Sequence, residues 1–301
     1  MSNYCSSSGG NTGRPACDLS AIITVGIILT PKNAVIAAGT ENLLDFFKSK
    51  FKEDVKANRW YPIVDKSWTV TNNSEEPVVG TLGSGYSEKL RDGNAIYKYD
   101  LAFGLCKSKT IGQFDGWRGG VFLVSNDGRI VGRRQEDGSL AAFLPTSLYT
   151  TANPLGDGQN ISVISLTANF GNLKLFSEIL EVSEKIEGFD VDELNGIIDV
   201  KLSVLGTASS SVDLLLKTKY DGINLFDVYS NKLDKAAAWK VVNKATGELA
   251  TPTTVSARAD TKAIRIALAA GTYVISLDSV SALEAAGLLG YESNEVTVVI
   301  A

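Results

Sequence analysis

The chain has no histidine among its 301 residues. Imidazole is the side chain best suited to proton transfer near neutral pH and a frequent metal ligand. Its absence excludes Ser-His-Asp and Cys-His catalysis and most zinc chemistry. Only carboxylate or Ser-Lys mechanisms remain for an enzyme. Cysteine is nearly as scarce. Cys5, Cys17 and Cys106 are odd in number and irregular in spacing, so they form neither a disulfide framework nor a zinc site. Either Cys5 and Cys17 bridge the N-terminal segment or all three stay free thiols in a reducing cytoplasm. Positive charge is not in surplus. Lys and Arg total 29 against 34 Asp and Glu, a net charge of −5, with no basic block. Sequence-specific nucleic-acid binding is therefore not expected, because phosphate recognition needs a basic surface. Long apolar runs are missing too. The stretch 21–29 is far too short to span a bilayer, and nothing reads as a secretory signal, so no membrane partner is expected.

What is present is enough to build a core. Hydrophobic residues make up 44% and charged residues 21%, a composition that folds, and the length predicts two domains. Residues 1–18, rich in Ser, Gly and Asn, read as a flexible arm. Residues 21–30 read as a strand ended by Pro31. Residues 40–56 read as an amphipathic helix, with Thr40 as N-cap and Leu43, Phe47, Phe51 and Val55 on one face. From Trp60 to about Thr167 the pattern is β. Asn126-Asp127-Gly128 and Asp137-Gly138 mark turns, and 160–170 reads as a long strand. Within this region, 72–93 carries four glycines and little periodicity, so it is an extended hairpin arm or a functional loop. Asp190-x-x-Glu193 reads as a capping box opening a short helix that ends at Gly196. A half-buried strand with Ile198, Val200, Leu202 and Val204 follows. The small-residue run 206–211 reads as a linker. Beyond it, about seven short strands at regular spacing predict a small β-sandwich. The expected domains are the arm (1–18), a β domain (19–205) and a sandwich domain (206–301).

Candidate chemistry is thin. Gly80, Gly83 and Gly85 lack the Gly-Lys-Ser/Thr ending of a phosphate loop. Glu75-Glu76 and Asp190/Asp192/Glu193 read better as a solvated loop and a helix start than as a glycosidase pair. Asn126-Asp127-Gly128 lacks the ligand ladder of a calcium site. Trp60, Trp68, Trp117 and Trp239 fit core or interface packing better than a sugar platform. No catalytic residue, cofactor or metal is expected.

The segment 59–93, then 97–103 and the Asn126-Asp127-Gly128 hairpin, resembles structural proteins of tailed bacteriophages, especially those of Bacteroidetes hosts. The plan is similar to major tail tube proteins. The resemblance implies a mainly β fold: a β-sandwich or split barrel with one flanking helix, a long hairpin loop, a flexible N-terminal arm and a C-terminal Ig-like β-sandwich. It implies a virion protein made in the host cytoplasm. That protein assembles with itself in hexameric rings of a tail tube for DNA passage and touches other virion proteins. Another virion component, such as a head decoration, connector or capsid-associated protein, is the alternative; a carbohydrate-binding or adhesin module is a third. A tube conducting DNA is better lined with acidic than basic residues. The contact loop expected between subunits lies in 72–93. There Val78, Val79, Leu82 and Tyr86 would be buried, and Glu75, Glu76, Lys89 and Arg91 would pair.

Overall fold

The computed structural model describes residues 24–301 apart from 66–68, 82, 84, 103–104, 154, 156–161, 184–185, 187–188, 191–193 and 289. The fold is mainly β and divides into two units. The N-terminal arm and Cys5 and Cys17 lie outside the described residues, as do Trp68, Leu82, Asp192 and Glu193.

The N-terminal unit runs in chain order β1 (Thr24–Thr30), β2 (Val35–Ile36), α1 (Leu43–Phe51), β3 (Tyr61–Val64), β4 (Thr69–Asn72), β5 (Val78–Thr81), β6 (Ser87–Arg91), β7 (Asn94–Ala102), α2 (Leu105–Gly112), β8 (Gly120–Ser125), β9 (Ile130–Arg134), β10 (Leu140–Ala141), β11 (Ser147–Asn153), β12 (Val163–Asn172), α3 (Leu173–Ile179) and β13 (Leu180–Val182). A seven-stranded sheet has the order β2-β10-β9-β8-β1-β3, with β13 also on β9. A four-stranded sheet has the order β11-β12-β7-β4. One core lies between them, with Ile27, Leu29, Val121 and Leu123 facing Tyr99, Leu101, Ile164 and Leu166. A second lies on the other face of the larger sheet, where α1 packs Phe47 and Phe51 against Ile28, Phe122 and Val124. All six residues of β8 are therefore buried, which is why that strand is a continuous apolar run rather than an alternation.

The helix α1 is shorter than its pattern. Its cap is Asn42, not Thr40: the Asn42 side-chain oxygen accepts from the Asp45 N–H at 3.1 Å, and Asn42 Nδ2 donates to the Asp45 carboxylate at 2.6 Å. Thr40 instead donates its hydroxyl to the Ala37 carbonyl. Nor is α1 alone. Two short helices join it: α2 contributes Ile111 and α3 contributes Phe176 to the inter-sheet core. Asn172 caps α3 by accepting from Leu175 N–H. Leu194–Gly196 are not helical, which corrects the end of the helix expected after Asp190.

The C-terminal unit comprises Lys52–Asp54 with Gly196–Ala301. Its elements are β14 (Ile198–Ala208), β15 (Ser211–Thr218), α4 (Phe226–Leu233), β16 (Trp239–Asn243), β17 (Thr254–Arg258), β18 (Ala263–Ala267), β19 (Gly271–Leu277), α5 (Val280–Ala285), β20 (Tyr291–Ser293) and β21 (Val296–Ile300). Sheets of order β17-β18-β15-β14-β20 and β16-β19-β21 enclose a core that includes Leu202, Leu214, Leu216, Ile264, Ile266, Ile275 and Val298. This is a β-sandwich. The boundary, however, falls at Asn195/Gly196, ten residues before the expected linker. Residues 206–211 are the end of β14 and its turn into β15, with a register shift between Val204 and Gly206. Small residues there serve a bulged hairpin, not a tether.

Candidate assembly surface

The chain between β4 and β7 builds its own two-stranded sheet from β5 and β6. Pro77 and the glycines exclude a helix, and the antiparallel register pairs Val79 with Lys89, Gly80 with Glu88 and Thr81 with Ser87. Eight of its nine strand residues are exposed; Gly80 alone is half-buried. The side chains left in water include Val78 at 39% exposure, Val79 at 56%, Tyr86 at 67% and Leu90 at 67%. A lone two-stranded hairpin is marginal in water, so this one depends on its root or on a partner.

The root is firmly made. Asn73 N–H donates to the Ile96 carbonyl at 2.8 Å, and Glu75 N–H to the Asn94 carbonyl at 2.9 Å. The Glu75 carboxylate accepts from Asn94 Nδ2 at 2.9 Å, and Ile96 N–H donates to the Ser74 hydroxyl. A Cβ on Gly93 would stand 1.8 Å from the Glu75 carbonyl oxygen, so only glycine lets the two strands meet there. At the far side of the root, Lys89 pairs with Asp92 at 2.5 Å, and Asn172 also donates to that carboxylate. These bonds hold the Asp92 carboxyl below the usual carboxylate range, the lysine being the larger cause.

The residues expected to make the contact thus separate into two groups. Glu75 and Lys89 are engaged at the root. Val78, Val79, Tyr86, Glu76 and Arg91 face solvent, and the side chains of the last two make no ion pair or hydrogen bond among the described residues. Leu82 lies outside the described residues. Two members were missed by sequence reasoning: Glu88, also without a partner among the described residues, and Leu90. Alternation of Tyr86, Glu88 and Leu90 along one strand face was the available signal. Leu90 covers Gly80, whose added Cβ would come within 2.9 Å of it.

The four-stranded sheet next to the hairpin has an unusual outer face. Tyr97, Tyr99 and Leu101 of β7 point into the core, so Lys98 and Asp100 point out. The register places Thr69 and Thr71, Ser165 and Thr167, and Tyr149 and Thr151 on the same side. Lys98 and Asp100 are the only charged residues on its four strands, and they pair at 3.0 Å. The face is polar and electrically neutral, with Ser165 and Thr167 buried at its centre and Tyr149 and Thr69 exposed at its edges.

Other candidates resolve into structure. Trp60 is buried, stacked on Phe122 at 5.4 Å; Trp239 is buried with its N–H on the Leu233 carbonyl; half-buried Trp117 packs on Tyr61 and Phe114. Asp127 accepts from the Ser125 hydroxyl and from Arg129 within its turn. Among the described residues, no group of three or more His, Cys, Asp or Glu is arranged to hold a metal ion, and no helix is long and apolar enough to cross a membrane. Compared with protein-family models, curated proteins and solved structures, the chain finds no match.

Proposed function

We propose that this chain is a structural subunit of a tailed-phage virion that assembles with copies of itself into rings stacked as a tail tube. The observation that carries the reading is the β5–β6 hairpin: a firmly rooted arm with four large apolar side chains in water. Taking a valine or leucine side chain from full exposure to full burial gains about 1.5–3 kcal/mol; these side chains, 39–67% exposed, have part of that left to gain, and the hairpin has too little of its own surface to supply it. A partner is the physical remedy, and a repeated arm on identical subunits joins ring to ring through many linked contacts.

Two further features agree with a conducting tube. Sheets from successive subunits enclose a lumen when their strands tilt and close, and barrels of about 16–18 strands already leave an aqueous channel. Six copies of the four-stranded sheet exceed that. The neutral outer face of that sheet gives DNA phosphates no cationic surface on which to stall. The expected acidic lining is replaced in this reading by a neutral one.

Negative-stain imaging of the purified chain tests the proposal. Six-fold rings or tubes are the expected result. Stable trimers would favour a head decoration protein instead, and monomers at all concentrations would contradict self-assembly.

A further inference from the structure

We propose that the hairpin docks in a specific place on the neighbouring copy: the cleft beside Arg133, with Leu90 and Glu88 entering it. The inference rests on the assembly reading and names its receptor.

The cleft has a volume of about 500 Å³ and is lined by Arg133, Arg134, Gln135, Glu136, Asp137 and Ile179. It lies where β9 runs past β13, Arg133 being paired with Leu180. The Nε of Arg133 is buried and has no hydrogen-bond partner among the described residues. A buried guanidinium N–H without an acceptor is costly, and a carboxylate is the acceptor that fits it best. Beside it, Ile179 and Leu180 are 38% and 36% exposed, an apolar wall left open. Asp137 is engaged within its own turn, where one carboxylate oxygen takes both the Ser139 N–H and hydroxyl. Glu136 is exposed and has no partner among the described residues.

The hairpin carries the complement. Glu88 and Leu90 share one face of β6, so a carboxylate and an exposed apolar side chain advance together. Arg91, three residues beyond Glu88, has no side-chain partner among the described residues, and Glu136 likewise lies three beyond Arg133. The pattern acid-x-x-base on the arm meets base-x-x-acid on the cleft. With the Arg133 side chain turned outward its guanidinium meets Glu88, Arg91 meets Glu136, and Leu90 covers Ile179. The contact is heterologous, arm to cleft, which is the type that builds rings or filaments rather than a closed pair. Pairing of β6 with its own copy about a two-fold axis is disfavoured, because it sets Lys89 against Lys89 or Arg91 of the other strand.

Full-length Glu88→Arg and Arg133→Glu variants test this by sedimentation velocity, with thermal melts to verify folding. Each alone is expected to weaken assembly roughly thirtyfold or more. An equimolar mixture of the two restores it, since each arm then finds an opposite charge on the other's cleft. Assembly of either variant at wild-type strength overturns the inference. So does a folded pair that stays apart on mixing, the result expected if an acidic segment of another protein fills the cleft. Should Arg133→Glu fail to fold, Arg133→Gln and Glu88→Gln replace the pair, and wild-type assembly of both would be equally fatal. Shortening the hairpin separates the two readings. If that leaves assembly intact, the assembly role itself fails; if it abolishes assembly while charge reversal does nothing, only the cleft is wrong.

Discussion

Two hairpins of the N-terminal unit have the same local structure and opposite energetics. In β8–β9 the turn Asn126-Asp127-Gly128 joins strands that are buried almost throughout, between the inter-sheet core and α1. In β5–β6 the strands are exposed on both faces and belong to no core. The first is held by everything around it. The second is held at its root and leaves apolar area for something else to cover. Strand formation is therefore a poor guide to where stability resides; burial is the better one, and an exposed apolar strand pair without a core is the surface on which the proposed assembly rests.

Breaking the buried hairpin should have the largest effect. Phe122→Ala removes a ring with 0% exposure that stacks on Trp60. A loss of about 3–5 kcal/mol is expected, measured by chemical denaturation. Next comes the hinge between the two cases. Gly93→Ala forces a Cβ into the Glu75 carbonyl and should cost about 1–3 kcal/mol. It should also disorder the arm, so that hydrogen exchange accelerates at the amides of Asn73 and Glu75 while those of β8 stay protected.

Much of this contrast was legible in the sequence. The apolar run of β8 and the Asn-Asp-Gly turn specify a buried hairpin. The glycines and weak periodicity of 72–93 allow an extended hairpin arm or a functional loop, and the structure shows the hairpin. The short helices were not legible. The eight residues of α2 and seven of α3 are too few for an apolar stripe to repeat, and their placement comes from plugging the inter-sheet core. The linker at 206–211 was misread because small residues serve bulged turns as well as tethers. At the candidate site, Leu90 was passed over because charged neighbours on either side hide a single leucine. Arg133 gave no signal, since an unpartnered guanidinium is a property of packing.

The C-terminal sandwich sharpens the comparison at smaller scale, because there an ion pair adds to a core that already holds the same neighbouring strands. Arg265 on β18 donates from Nε at 2.7 Å and from Nη2 at 2.8 Å to the two carboxylate oxygens of Asp213 on β15. The Arg265 guanidinium holds the Asp213 carboxyl below its ordinary value, as Arg258 holds that of Asp260 at about 2. A carboxyl depressed on folding contributes stability above its unfolded value and loses it as pH falls through the folded one. Stability should therefore decline below about pH 4. Asp213→Asn should flatten that decline and cost about 1 kcal/mol at pH 7, read from melts across pH. The smallest effect on folding belongs to the arm itself: Leu90→Ser should change stability by no more than about 0.5 kcal/mol while weakening assembly.

That separation of folding from assembly is the central claim, and one measurement addresses it directly. Sedimentation velocity over a concentration series compares the wild-type chain with a Val79→Ser, Tyr86→Ser, Leu90→Ser triple variant whose melt is recorded alongside. The account predicts ring-sized or larger species for the wild type, and a monomer with an unchanged melting temperature for the variant. A wild type that stays monomeric throughout, or a variant that assembles equally well, would contradict it.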